Sequence, residues 1–255
     1  IFSELGSKII ELSTSPNGIN INDECGSTNP NNIQKAVVES KADLGIAFDG
    51  DGDRLLVVDK EGKILDGDDL LYILVSTNLL RDDLQRYKGI VGTLMTNKSL
   101  ELFLDKEGID FSRTDVGDKY VLRELKERNW ILGGEPSGHI ICLDATTTSD
   151  ALIASLKVLE AIKDLNFDIS KALLNFEKLP QEIISLKVNN PQTLIMDSSI
   201  RYEVSKLENA LGKEGRVLLR PSGTEDLIRI MVEATSEKLA KDLASELAEF
   251  MQKAE

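Results

Sequence analysis

From Leu44 to Asp164, short β-branched or apolar runs alternate with longer runs whose apolar residues recur at helical spacing. That alternation restricts the chain to an α/β layer architecture with a mixed sheet. Leu44-Gly45-Ile46-Ala47-Phe48 reads as a strand and Leu55-Leu56-Val57-Val58 as another, joined by a short acidic loop into a hairpin-like unit at a sheet end. Before them, the chain reads as a helix end at 2–6, a strand at 8–12, a long polar loop and a helix over 33–40. After Lys63 the pattern restarts: helix 69–80, strand 89–93, helix 99–107, strand 111–114, helix 120–128, a loop at 133–138, strand 139–143 and helix 151–164.

The last part is organised differently. Strands are expected at 182–188, 216–219 and 228–233, with helices at 198–211 and 237–253, the pattern of a small α+β domain. Boundaries near Lys63 and Glu177 divide the chain into residues 1–63, 64–177 and 178–255.

The formal charge of −14 argues against a polyanionic partner such as nucleic acid or an acidic membrane. It leaves room for a phosphorylated small molecule, which needs only a local basic pocket. No apolar run approaches the roughly 20 residues that span a bilayer. Cys25 and Cys142 are too few for a disulfide framework and read as reduced thiols of a cytoplasmic protein.

Asp49-Gly50-Asp51-Gly52-Asp53 follows an apolar strand directly. Glycines allow the backbone to turn tightly enough to aim alternate carboxylates at one point. Three such groups would supply half of an octahedral Mg²⁺ shell. A calcium EF-hand fails on spacing, because its sixth and twelfth positions, counted from Asp49, hold Arg54 and Lys60 where that loop needs glycine and glutamate. Arg54 beside the carboxylates suits a site that handles a transferring phosphoryl group, or else forms a simple salt bridge.

Gly133-Gly134-Glu135-Pro136-Ser137-Gly138-His139 reads as a loop between a helix and a strand. Glu135 and Ser137 are placed to grip vicinal sugar hydroxyls, although a glycine-rich turn with one glutamate is also commonplace. His139, the only histidine, is a candidate proton shuttle or a hydrogen-bonded residue at a strand start. Arg220-Pro221-Ser222-Gly223-Thr224-Glu225 has the makings of an anion nest, to which Arg229 adds a second guanidinium.

Taken in order, these three loops resemble the metal, sugar and phosphate loops of the α-D-phosphohexomutase superfamily. The stretches Gly92–Asn97, Val116–Val121 and Thr146–Asp150 look like its amino-sugar branch. The resemblance implies mixed-sheet phosphohexomutase domains (a partial second domain and a third) followed by a small α+β C-terminal domain. It further implies that Asp49, Asp51 and Asp53 bind Mg²⁺, that Glu135 and Ser137 contact sugar, and that Arg220, Ser222, Gly223 and Thr224 hold the non-reacting phosphate. Arg54, His139 and Lys119 fall near the reacting end, with a plain surface lysine as the alternative for Lys119. The implied partners are a hexosamine phosphate and the family's N-terminal domain, and a homodimer is left open. That first domain carries a Thr-X-Ser-His-Asn-Pro loop whose serine is phosphorylated, and no Ser-His pair occurs here. The expectation is a chain that begins inside the second domain and is inactive alone. A phosphomannomutase or phosphoglucomutase, or a non-catalytic sugar-phosphate-binding module, are the competing readings.

Overall fold

The computed structural model describes residues 1–80, 86–222 and 225–254. In chain order these form α1 (Asn31–Ser40), β1 (Leu44–Phe48), β2 (Leu55–Asp59), β3 (Ile64–Leu65), α2 (Gly67–Leu80), β4 (Gly89–Thr93), α3 (Lys98–Lys106), β5 (Asp110–Thr114), α4 (Asp118–Arg128), β6 (Leu132–Gly134), β7 (Ile140–Cys142), α5 (Ala151–Ile162) and α6 (Ile169–Ala172). They continue as β8 (Gln181–Lys187), α7 (Pro191–Met196), α8 (Ser198–Leu211), β9 (Arg216–Pro221), β10 (Leu227–Glu233) and α9 (Glu237–Ala254). Among the described residues, no helix is long and apolar enough to cross a membrane.

The chain divides into two compact units. One comprises residues 1–95 and 109–175, the other 96–108 and 176–255.

The first unit holds two sheets. Strands β1, β2 and β3 form an antiparallel sheet in which Phe48 lies opposite Leu55, so the acidic loop is the tip of a hairpin. The second sheet runs β5-β4-β6-β7, parallel except for the antiparallel β6–β7 pair, which makes it mixed. Helix α2 packs against both β3 and β6 as well as α5. It is apolar over most of its surface, and Leu70 through Val75 are all buried, as expected of a helix enclosed on every side. Its entry is a capping box: Asp66 accepts from the Asp68 and Asp69 amides, and Asp69 accepts from the Asp66 amide.

Two expectations fail at the N-terminus. Residues 2–6 form turns instead of a helix end, and 8–12 are irregular. Ile9, Ile10 and Leu12 are exposed, and no described segment offers that stretch a hydrogen-bonded ladder, without which β propensity makes no strand.

In the second unit, β10 lies between β8 and β9, both antiparallel to it. Ile228, Ile230 and Val232 meet Ile200 and Leu207 of α8 and Ala244, Leu247 and Met251 of α9 in one apolar core. Helix α3 belongs to this unit although its neighbours in sequence, β4 and β5, belong to the other. Polar contacts hold it. Glu233 is fully buried and takes a two-pronged contact from Arg216, Nε to Oε2 at 2.6 Å and Nη2 to Oε1 at 3.2 Å. Glu233 Oε2 also accepts from the Lys98 amide at 3.0 Å, and Arg216 Nη2 donates to the Thr96 carbonyl at 2.8 Å. Asn97 caps α3 through the Ser99 amide and pairs with both backbone groups of Leu179.

Removing one member of such a pair leaves the other charge buried and uncompensated. Glu233→Ala is expected to cost about 3 kcal/mol, read as a lowered midpoint in urea denaturation followed by circular dichroism.

Candidate functional site

The acidic loop is built around Asp49. Its Oδ1 accepts the backbone amides of Gly52, Asp53 and Arg54, at 3.1, 3.2 and 3.2 Å. One carboxylate oxygen therefore closes the turn. Burial pushes the Asp49 carboxyl upward, but the Arg54 amide, the Asp53 side chain and amide, and the Arg54 guanidinium together outweigh it and hold the group below its ordinary range. Burial also dominates at Asp53, where it combines with the charge of Asp49 to raise that carboxyl. Asp53 Oδ1 is buried and makes no hydrogen bond. Asp51 is exposed at the tip.

The structure thus brings Asp49 and Asp53 together and leaves Asp51 outside. Among the described residues, no three His, Cys, Asp or Glu side chains gather closely enough to hold a metal ion. The convergence of three carboxylates expected from their spacing is not realised, because the amides draw Asp49 Oδ1 inward while like charges favour an outward Asp51. The oxygen donors that do adjoin suit a hard divalent cation. Asp53 Oδ1, dry and without a partner, is the atom such an ion would satisfy.

The 133–139 stretch is the turn of the β6–β7 hairpin, a strand-to-strand connection and not the helix-to-strand loop expected. The Glu135 amide donates to the His139 carbonyl and the Gly138 amide to the Glu135 carbonyl, each at 3.0 Å. This hairpin is stitched to the acidic loop. Arg54 and His139 form an isolated antiparallel bridge, and the Leu55 amide donates to the Gly138 carbonyl at 2.9 Å. Their side chains meet as well: Arg54 Nε donates to His139 Nε2 at 3.1 Å. The guanidinium nitrogen can only donate, so His139 Nε2 is the acceptor in this contact. His139 Nδ1 lies 3.6 Å from Asp53 Oδ2, and Arg54 Nε lies 3.7 Å from Asp49 Oδ2. Both sequence readings of Arg54 meet here, since it adjoins a carboxylate and keeps 41% of its side chain exposed.

Glu135 is buried, with Oε1 accepting the Gly117 amide at 2.9 Å, so only part of the carboxylate is left for a ligand. Ser137 is exposed on the same turn. Lys119, in the first turn of α4, is exposed with Nζ 4.8 Å from the Tyr120 ring centre.

In the second unit, Arg220 of β9 and Arg229 of β10 are direct cross-strand partners. Like charges placed opposite each other repel unless an anion intervenes. Neither arginine forms an ion pair among the described residues, so the two present a local positive site. Ser222 is buried, its Oγ accepting the Glu225 amide at 3.3 Å. Gly223 and Thr224 lie outside the described residues.

Three family models match successive parts of the chain. They describe phosphoglucomutase/phosphomannomutase alpha/beta/alpha domain II over residues 1–62, alpha/beta/alpha domain III over 66–179 and the C-terminal domain over 183–250. The chain belongs to the phosphohexomutase family. A phosphoglucosamine mutase of Pseudomonas fluorescens is 47% identical over 251 residues, covering 98% of this chain and 56% of the relative. The chain spans about half the length of the curated relatives it matches. Among solved phosphohexomutases, a phosphoglucomutase/phosphomannomutase family protein from Burkholderia thailandensis has a TM-score of 0.79 at 26% identity, over 99% of this chain and 56% of that one. Aspergillus fumigatus N-acetylphosphoglucosamine mutase, solved in complex with GlcNAc-6P and magnesium, has a TM-score of 0.66 at 25% identity, over 91% and 53%.

Sequence reading missed the contacts that fix the acidic loop from behind. The Ser149 hydroxyl donates to the Asp53 carbonyl at 2.7 Å and the Ala151 amide to the Gly52 carbonyl at 3.0 Å. Ser149-Asp150 ahead of an apolar run signals a helix cap, but nothing local announces that its hydroxyl reaches a loop far earlier in the chain.

Gly138 has φ +100°, and a Cβ there would come within 2.5 Å of the Leu55 carbonyl oxygen. Gly138→Ala is expected to separate the hairpin turn from the start of β2 and to destabilise the chain by at least about 1 kcal/mol. Faster exchange of the Leu55 amide reads the first effect, and thermal melting the second.

Proposed function

We propose that this chain forms the metal-, sugar- and phosphate-binding part of a phosphoglucosamine mutase, which interconverts glucosamine 6-phosphate and glucosamine 1-phosphate through a phosphoserine and a bound 1,6-bisphosphate. The observation that best supports this reading is the Arg54–His139 contact, which joins the acidic loop to the 135–139 turn within one compact unit. The name of the bacterial relatives and the chemistry of the three loops point the same way.

In this reading residues 1–63 contribute the metal loop, 64–177 the sugar loop and 178–255 the phosphate loop. Asp49 and Asp53 hold Mg²⁺, with Asp51 completing the ligand set from the exposed tip. Bound Mg²⁺ supplies neutralisation of the charge on a transferring phosphoryl group. Arg54 faces the same group with the guanidinium nitrogens that His139 leaves unused, and Lys119 adds a second cation. His139 holds Arg54 in place and passes a proton only when that contact opens. Ser137 and the uncommitted oxygen of Glu135 bind sugar hydroxyls. Arg220 and Arg229, with Ser222, Gly223 and Thr224, anchor the phosphate that does not react. Anchoring both ends of the substrate supplies the positioning on which phosphoryl transfer depends. The phosphoserine comes from the family's N-terminal domain, and the setting is cytoplasmic.

Kinetic assay of the full-length enzyme with glucosamine, glucose and mannose 6-phosphates tests the assignment. Preference for glucosamine 6-phosphate is expected, and preference for mannose 6-phosphate would overturn it. The 255-residue chain alone is expected to show no conversion, since its sequence contains no Ser-His pair.

A further inference from the structure

The acidic loop is held from two sides, and the two sets of contacts act on the same peptide groups. The Gly52–Asp53 peptide donates its N–H to Asp49 Oδ1 at 3.2 Å and offers its C=O to the Ala151 amide at 3.0 Å. The next peptide, Asp53–Arg54, repeats the pattern: its N–H donates to Asp49 Oδ1 at 3.2 Å, and its C=O accepts from Ser149 Oγ at 2.7 Å. Two consecutive peptide planes are thus gripped at both ends, by the Asp49 carboxylate on one side and by the turn entering α5 on the other. A peptide whose carbonyl is fixed has its N–H direction fixed as well, because the unit is planar. Hydrogen bonds in such a chain also polarise one another.

The gripping turn is itself firmly placed. Ser149 is 7% exposed and pairs with Ile141 of β7 in an isolated antiparallel bridge. Asp150 caps α5 through the Ile153 amide at 2.9 Å. The longer contact of Ser149 Oγ to the Ile140 carbonyl, at 3.5 Å, leaves the Asp53 carbonyl as its principal acceptor.

We infer that Ser149 is a positioning residue for the acidic loop: it turns the Asp53–Arg54 peptide so that its amide locks Asp49 Oδ1, leaving Asp49 Oδ2 and Asp53 Oδ1 directed to a cation. The cation itself rests on the metal-loop reading above. The effect of Ser149 on the peptide does not, which lets the two be tested apart. Groups that orient ligands in this way commonly change metal affinity 10- to 100-fold when removed.

The test compares the unsubstituted chain with Ser149→Ala and Ser149→Thr. Mn²⁺ serves as a spectroscopic probe, with free ion followed by electron paramagnetic resonance, and amide exchange is read by NMR without metal. Ser149→Ala is expected to bind Mn²⁺ about 10-fold more weakly and to exchange the Asp53 and Arg54 amides faster. Ser149→Thr, which keeps the hydroxyl, is expected to match the unsubstituted chain in both. Unchanged exchange at Asp53 and Arg54 in Ser149→Ala would overturn the inference. So would equal acceleration in Ser149→Thr, or acceleration shared by the Ile90 and Val91 amides of β4, which would mark general loosening. If the unsubstituted chain takes up no Mn²⁺, the metal-loop reading falls, while the exchange rates still decide the role of Ser149.

Discussion

The hydrogen bond from Arg54 Nε to His139 Nε2 is the interaction on which the candidate site depends. It fixes three things at once: the acceptor nitrogen of the ring, the direction of the guanidinium, and the spacing between two loops far apart in sequence. The backbone makes the pairing possible, because Arg54 and His139 are opposed across an antiparallel bridge and their side chains leave on the same face. A histidine alone would be an ambiguous feature. Here its surroundings give it a defined task, with Asp53 at one nitrogen and Arg54 at the other.

Most of the fold was legible because its signals are local. The strand at 44–48 and the helix at 198–211 agree with the structure to the residue, and the mixed sheet follows from strands alternating with helices. What escaped was set by partners distant in sequence. Lys8–Leu12 has strand composition but no ladder to join. β6 is only Leu132–Gly134, too short and too rich in glycine to register as a strand, so the turn after it looked like a helix exit. The placement of α3 in the second unit could not be seen either. It follows from contacts of Thr96, Lys98 and Asn97 with Arg216, Glu233 and Leu179, which no periodicity encodes.

The site divides along the same line. Residue types and order were enough to pick out Asp49, Asp53, Arg54 and His139, and the structure draws these four together. Their roles were less legible. Asp49 spends one oxygen on three amides, Asp51 is exposed at the loop tip, and Glu135 gives one oxygen to Gly117. Spacing reveals which groups are near, whereas competition between backbone amides and ligands for the same oxygen is settled only by the three-dimensional arrangement. Arg220 and Arg229 are the converse case. They are nine residues apart in sequence, and their direct opposition becomes evident only from strand register.

The chain passes from one unit to the other three times, after Met95, Gly108 and Asn175. The C-terminal sheet therefore owns a helix that the linear order assigns elsewhere. A piece cut out along the linear order, starting at residue 178, would discard that helix together with the Lys98 amide and the Thr96 carbonyl. The Arg216–Glu233 pair would then be open to water on the side that α3 now closes. An excision that respects the folding unit has to be assembled from two stretches of sequence, and dissecting this protein by family boundaries alone would cut through a core contact.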